Sequence, residues 1–310
     1  MRIGIDLGGT KTEIIVLDAE GTPRLRRRVP TPAHDYEAII RTLRALVEQA
    51  ERDLGARATV GVATPGAISV ATGTIKNSNT TALIGRPLPA ALERALGRPV
   101  RLANDANCMA LSEAVDGAGA GADVVFGVIL GTGTGGGLVV HGRPLAGRNA
   151  IAGEWGHNPL PWPRADERPG PSCYCGRFGC IETFLSGPGL ARDHLAHGGS
   201  AGTAGEIAAA AEAGEPAARA TLERYVERLA RGLAAVINVV DPDVIVLGGG
   251  ISNIGWLYEA VPERWGPWVF SDRVDTELRP AVHGDSSGVR GAAWLWPGAS
   301  GAPTGTRAPA

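Results

Sequence analysis

Lysine is nearly missing from this chain of 310 residues: Lys11 and Lys76 are the only two, and arginine carries the rest of the positive charge. Net charge is close to nil as well. Thirty basic side chains face 32 acidic ones, a balance of −2, so the chain has no bulk attraction for nucleic acid or an anionic membrane surface. No apolar run approaches the ~20 residues needed to span a bilayer. No leader is expected either, because Arg2 is followed at once by a strand-like run. Cysteine is scarce, with four in all; they read as metal ligands plus one buried thiol, which fits a reducing cytoplasm. What remains, 44% hydrophobic and 20% charged residues, is the composition of a soluble globular protein with a sizeable core. The length allows one large domain or two of ordinary size.

Three of the four cysteines crowd into one stretch, Cys173-x-Cys175-x4-Cys180, with His157 before them in GEWGHNPLPW. Three thiolates and an imidazole make a closed tetrahedral site, the pattern of structural zinc. Glu154 and Glu182 bracket the stretch. A metal-fixed loop would let these carboxylates, with His157 beside them, face a small polar substrate such as a polyol, which offers several O–H donors. His157 also reads as a metal ligand only, and Glu182 as a helix-start charge. Cys108 stands apart on an apolar helical face and reads as a core residue.

Periodicity predicts strands over 2–7, 12–18 and 24–30, a helix over 35–54, and a buried strand in 59–66 ending at Pro65-Gly66. A loop over 67–87 follows, then a short helix near 88–96, a strand over 100–103 and a helix near 106–116. A second round opens with a strand over 123–130, a glycine-rich turn over 131–137 and a strand over 138–142. Residues 4–21 align on 127–144 without a gap, placing Gly4 on Gly127, Leu7 on Leu130, Gly8 on Gly131 and Val16 on Val139. That is an internal duplication of strand, glycine turn, strand. Helices are expected over 203–213 and 215–240, a strand over 243–247 followed by Gly248-Gly249-Gly250, helical stretches near 255–263 and 287–296, and a disordered tail over 298–310.

The turn DLGGTKT joins two strands rather than a strand and a helix, which argues against a P-loop and a dinucleotide fingerprint. Alone it is an ordinary hairpin. Its N–H groups can still approach phosphate oxygens, because glycine has no Cβ in the way. Gly8, Gly9, Thr10, Lys11 and Thr12 from this turn, with Gly131, Thr132, Gly133, Thr134 and Gly135 from its repeat, would clamp a nucleotide phosphate chain. Gly249 and Gly250 would lie flat against purine and ribose, and Asp6 would hold Mg²⁺ through water. Asn104-Asp105 falls at a strand–helix junction, where a helix N-cap is the plain reading. The same position suits a carboxylate that accepts a sugar hydroxyl proton during phosphoryl transfer, Asp105, with Asn104 orienting the neighbouring hydroxyl.

Taken together, DLGGTKT, the Pro65-Gly66 loop, NDAN, LGTGTGGG, GEWGHNPLPW, CYCGRFGCIE and DPDVIVLGGG resemble the ROK family of repressors, open reading frames and sugar kinases, from residue 2 to about 297. The cysteine loop and the closing HGDSSGVRGAAWLW look most like bacterial fructokinases of the mannofructokinase type. The resemblance implies an α/β, actin-like (ribonuclease H-like) duplicated two-domain fold with a central cleft. The small domain would comprise 1–103 plus about 284–297, and the large one 104–283. It implies Asp105 as general base, sugar contacts at Gly66, Asn79, Asn104, Asp105, Glu154, His157 and Glu182, and zinc at His157, Cys173, Cys175 and Cys180. The implied reaction is ATP-dependent phosphorylation of a hexose 6-hydroxyl, fructose first, with other hexoses or an N-acyl amino sugar as the alternative. A cytoplasmic homodimer using ATP, Mg²⁺ and structural Zn²⁺ completes the implied picture. The chain starts at its first strand, which disfavours the repressor branch with its N-terminal helix-turn-helix.

Overall fold

The computed structural model describes residues 1–78 and 80–296, with Asp285 described by its backbone alone. Asn79 and the tail expected to be disordered therefore lie outside the described residues. The chain opens as β1 (Arg2–Leu7), β2 (Lys11–Leu17) and β3 (Pro23–Pro30). Helix α1 (Tyr36–Leu54) starts where the Asp35 carboxylate accepts from Ala38 N at 3.0 Å, and it ends at left-handed Gly55. Its buried residues Ile39, Leu43, Val47 and Ala50 recur at helical spacing and pack on the sheet. Then come β4 (Thr59–Thr64), the two-residue strands β5 (Ala67–Ile68) and β6 (Ile75–Lys76), α2 (Leu88–Leu96), β7 (Val100–Asn104) and α3 (Asp105–Asp116). The small β5–β6 hairpin occupies part of the stretch expected to be loop.

The second round runs β8 (Val124–Leu130), β9 (Thr134–Val140) and β10 (Arg143–Pro144). After the cysteine loop come α4 (Ile181–Leu185) and α5 (Gly187–Ala196), neither foreseen from the periodicity because both are short. Helices α6 (Ala204–Glu212) and α7 (Pro216–Val240) follow. The Glu215 carboxylate caps α7, and its buried stripe of Leu222, Val226, Leu229 and Leu233 lies in the core of the second half. The chain closes with β11 (Val244–Gly248), α8 (Leu257–Ala260), α9 (Pro262–Trp265), β12 (Glu277–Pro280) and α10 (Ser287–Trp294). The helix expected near 255–263 is thus broken in two; Pro262 cannot donate to a continuing helix. The short strand β12 was not foreseen, since none of its residues is buried.

Among the described residues the two large sheets have the same order. One is β3-β2-β1-β4-β7 and the other β10-β9-β8-β11-β12. In each, a central strand pairs antiparallel with its hairpin partner and parallel with the next strand. This is the duplicated actin-like arrangement, and the aligned glycines show how it closes. A Cβ on Gly4 would fall 2.1 Å from the Val289 carbonyl of α10, and one on Gly127 would fall 2.6 Å from the Ala110 side chain of α3. A helix therefore lies directly on each sheet through matching glycines: α10 on the first, α3 on the second. Gly61 and Gly137 do the same beside Ala292 and Ala106. Only hydrogen fits under a helix at that distance.

Candidate active site

Parallel strands offer their carboxyl ends as binding sites. In the first sheet those ends carry Asp6, Thr64-Pro65-Gly66 and Asn104; in the second they carry the turn after Leu130 and Gly248-Gly249-Gly250. Asp105 opens α3. Asn104 is the N-cap, its Oδ1 accepting from Asn107 N at 2.8 Å, and Asp105 Oδ1 accepts from Ala106 N at 2.8 Å. The capping reading thus falls on Asn104 and leaves Asp105 with a free carboxylate oxygen. The Asp105 side chain is exposed although protein surrounds it on nearly every side, the condition of a group on the floor of a cleft. That surrounding desolvates the carboxylate and raises it above its ordinary range.

Asp6 lies close by. Burial, then the charge of Asp105 and then that of Glu13, push it up to about 6. Neighbouring carboxylates, one of them raised by the charge of the other, suit a shared divalent cation. Across the cleft, Glu154 is raised by burial, opposed by His157 and reinforced by Asp105 and Glu182, with Lys76 also in range. Asp105, Glu154, His157 and Glu182 therefore come together as the sequence suggested. Lys76 joins them from β6 and was not foreseen as a site residue, because the stretch around it read as loop. Gly66 has φ +81°, and its Cβ would meet the Lys76 carbonyl at 2.3 Å, so this glycine lets the first loop fold down on β6.

The two glycine turns differ from the sequence reading in detail. In the first, Gly8 N donates to Lys11 O at 3.1 Å, and Gly9, Thr10 and Lys11 are exposed. Thr12 is not: it points inward on β2, is 1% exposed, and its hydroxyl pairs with that of Thr31 at 2.8 Å. Its hydroxyl is unavailable to a phosphate. The second turn is only Gly131–Gly133, because β9 begins at Thr134. Gly135, Gly136 and Gly137 are strand residues. Gly136 packs against Gly153 and Trp155, Gly137 lies beneath α3, and Trp155 Nε1 donates to Gly135 O at 3.1 Å. The run of glycines serves close packing of the segment that carries Glu154. Thr134 N is also taken, since it donates to Glu182 Oε2 at 3.0 Å. Gly187 N donates to Gly131 O at 2.7 Å, so the α4–α5 junction braces this turn. Gly249 has φ +84°, and its Cβ would lie 2.5 Å from Leu130 O; Gly250 has open space and begins a 3₁₀ turn rather than an α-helix.

His157, Cys173, Cys175 and Cys180 place their ligand atoms within 4.8 Å of one another, the one such group of His, Cys, Asp or Glu among the described residues that includes cysteine. His157 Nδ1 faces Cys173 Sγ at 3.5 Å, and Cys175 Sγ is 3.6 Å from Cys180 Sγ. Burial and the two neighbouring sulfurs push the Cys180 thiol up to about 12. Packed thiols of this kind fit a soft divalent cation, which supplies the positive charge that thiolates need. Cys108 is fully buried beside Ala63 and Ala292, a core residue as expected. The other His157 nitrogen, Nε2, is 2.9 Å from Tyr174 Oη, with the two rings edge to face at 5.0 Å. Burial, followed by Glu182, Cys173 and Glu154, raises the Tyr174 phenol to about 12, so it stays protonated. The loop is also fastened from behind. Glu167 Oε1 accepts from Arg228 Nε and Arg231 Nη2 of α7, each at 2.8 Å, and Glu167 Oε2 accepts from Arg164 N.

Among the described residues, no helix is long and apolar enough to cross a membrane. The chain is 41% identical over 301 residues to the N-acetyl-D-glucosamine kinase of Pectobacterium atrosepticum, covering 95% of this chain and 98% of that one. It is 40% identical over 299 residues to the N-acetyl-D-glucosamine kinase of Escherichia coli, covering 95% and 99%. Among solved structures it resembles a ROK hexokinase from Thermus thermophilus, with TM-score 0.84, 34% identity and coverage of 95% and 97%. A ROK family glucokinase from Streptomyces griseus in complex with glucose and AMPPNP matches at TM-score 0.75 and 30% identity, covering 95% and 98%. The sequence profile of the ROK family itself matches residues 2–299. With both sheets, both glycine turns and the cysteine loop inside that span, the chain belongs to the ROK family.

Proposed function

We propose that this chain is an ATP-dependent kinase of an N-acylated amino sugar, with N-acetylglucosamine as the preferred substrate and its 6-hydroxyl as the acceptor. The observation that carries the reaction type is Asp105, an exposed carboxylate on a cleft floor at the start of α3, with Glu154 in its field and Asp6 beside it. Asp105 accepts the hydroxyl proton; the desolvation that raises its pKa makes its carboxylate a better base. Glu154 and Glu182 accept from sugar hydroxyls, with His157 and Asn104 beside them. Gly9, Thr10 and Lys11 face the phosphates from one side and Gly131–Gly133 from the other. Asp6 holds Mg²⁺, which neutralises charge developing on the transferred phosphoryl group. His157, Cys173, Cys175 and Cys180 hold zinc, which stiffens the loop bearing the sugar-binding groups.

The choice of sugar rests on the relatives at 40–41% identity, which are N-acetyl-D-glucosamine kinases. It replaces the fructose reading drawn from the loop motifs. One small substituent shifts specificity by only ~1–3 kcal/mol, so motifs shared across the family do not discriminate among hexoses. ADP release should be measured with ATP and N-acetylglucosamine, N-acetylmannosamine, glucose, mannose and fructose, for wild type and Asp105→Asn. The reading requires the highest kcat/KM on an N-acyl sugar and a loss of at least ~10² in kcat in the variant. A preference for fructose would sink the substrate assignment; full turnover in the variant would sink the base.

A further inference from the structure

Glu113 lies on α3, about two turns beyond Asp105, and is fully buried. Its Oε1 accepts from His283 N at 3.1 Å and from Ser287 Oγ at 2.7 Å. Its Oε2 accepts from Val282 N at 3.0 Å and from Ala118 N at 2.9 Å. The basic side chains nearby go elsewhere: His283 and Arg290 bond Asp116, on the next turn of α3. Hydrogen bonds alone therefore satisfy this buried carboxylate among the described residues, and each of its oxygens is occupied.

Val282, His283 and Ser287 belong to the segment by which the chain returns from β12, in the second sheet, to α10 on the first. Helix α3 makes the opposite crossing, from β7 of the first sheet to β8 of the second. Glu113 ties the two crossings together. Each also leads to a carboxylate of the cleft. Asp105 stands at the head of α3. In the first turn of α10 the residue after Ser287 is Gly288, where a Cβ would fall 3.3 Å from Asp6 Oδ2. That turn therefore lies against the Asp6 carboxylate while its Ser287 hydroxyl is fastened to α3.

We propose that Glu113 is a positioning residue for phosphoryl transfer: by fastening the return crossing to α3, it keeps Asp6, proposed to hold Mg²⁺, in place beside the proposed base Asp105. The inference rests on the kinase reading of the cleft. Without the clasp, the first turn of α10 is released and Asp6 loses the surface it rests on. Glu182 keeps its bond to Thr134 N, and the segment carrying Glu154 keeps its packing on β9. The defect should fall on metal and turnover and spare sugar affinity.

Glu113→Gln keeps the size of the side chain, but its NH₂ cannot accept from the N–H groups it faces. The variant should lower kcat roughly ten- to hundredfold, the scale of a small misplacement at the reacting groups. The gain in ADP affinity on adding Mg²⁺, read by calorimetry, should shrink several-fold, while the sugar Kd of nucleotide-free protein stays at the wild-type value. Ser287→Ala removes the hydroxyl bond alone and should give the same split to a smaller extent. Gly288→Ala crowds Asp6 without touching Glu113 and should reproduce the Mg²⁺ defect. Val226→Ala, in the α7 core, controls for lost stability: Tm should fall with kcat and the Mg²⁺ effect unchanged. Wild-type kcat and Mg²⁺ effect in folded Glu113→Gln would overturn the inference, as would the same defect in Val226→Ala or a matching loss of sugar affinity, either of which makes the clasp a support of the fold only. If Glu113→Gln does not fold, Ser287→Ala decides by the same split. A wild-type protein that phosphorylates no hexose rejects the kinase reading and this inference with it; normal wild-type turnover with unmoved variants rejects the inference alone.

Discussion

Gly291 of α10 lies against Cys108 of α3 so closely that a Cβ on the glycine would fall 1.6 Å from the Cys108 carbonyl oxygen. The two helices that rest on the two sheets cross at this point, and nothing larger than hydrogen fits between them. Gly291→Ala should destabilise the fold by about 1–3 kcal/mol or more, the range for overpacking a closed interior. Gly205 of α6 has open space around its missing Cβ, so Gly205→Ala should leave stability unchanged or raise it by up to ~1 kcal/mol. Denaturant unfolding of the two variants checks both signs.

Acidification should act on activity before it acts on the fold. As the proposed base Asp105 works deprotonated, and burial holds its pKa above the ordinary value. The acid limb of kcat/KM should therefore fall at a pH above the ~4 of a free carboxylate. Asp6 adds a stability effect of known sign. Its folded pKa of about 6 exceeds the ordinary value of 3.8, so its ionisation weakens the ligand-free fold above pH 6, and the penalty fades as pH falls toward 3.8. Asp6→Asn should stabilise the ligand-free protein at pH 8 by at most about 3 kcal/mol, with roughly half of that left at pH 5. Unfolding at the two pH values would expose a wrong sign.

Glu182 braces the second glycine turn through Thr134 N at 3.0 Å and lies among the proposed sugar-binding groups. Glu182→Gln puts a neutral acceptor on that N–H, and Glu182→Ala removes it. The alanine variant should raise KM for sugar and for ATP together, each by about tenfold, one charge-assisted hydrogen bond being worth ~1.5–3 kcal/mol. The glutamine variant should affect ATP less. An effect on sugar alone in Glu182→Ala would mean the brace is idle.

Glu167 is 6% exposed and bonds two α7 arginines with one oxygen. Burial alone would raise its carboxyl, but Arg231, Arg228 and the Arg164 N–H hold it down to about 2. A depressed carboxylate stabilises the fold above the unfolded value of ~4.5, and that contribution is lost as pH falls toward 2. Glu167→Gln leaves two guanidiniums without their anion and should cost about 3–5 kcal/mol at pH 7, read as a fall in Tm. A shift within error would show that Asp193, which also bonds Arg228, compensates.

Purified protein should carry about one zinc per chain, from one four-ligand group. Cys180→Ser should lose it. Stripping by a strong chelator should lower Tm and weaken sugar affinity more than ATP affinity, because Glu154 and Glu182 flank the metal loop. Metal analysis and calorimetry decide this; full sugar affinity in the stripped protein would separate the loop from the site.

Local pattern by itself determined the longer strands, the duplicated hairpin, the strand-end position of Asp105 and the cluster of His157 with three cysteines, since alternation, turn glycines and ligand spacing depend on near neighbours in the chain. Contacts between distant segments decided the rest. Gly4 and Gly127 aligned in the sequence, but only the packing of Val289 and Ala110 above them explains why both are glycine. Gly135–Gly137 read as part of a phosphate turn until the 153–156 segment and α3 closed on them. Thr12 read as a phosphate ligand until Thr31 took its hydroxyl. Lys76 joined the site through a fold of the chain that no short window records. A residue's own type fixes what chemistry it can perform, while the direction it faces and the partner that reaches it first are set by the whole packed molecule.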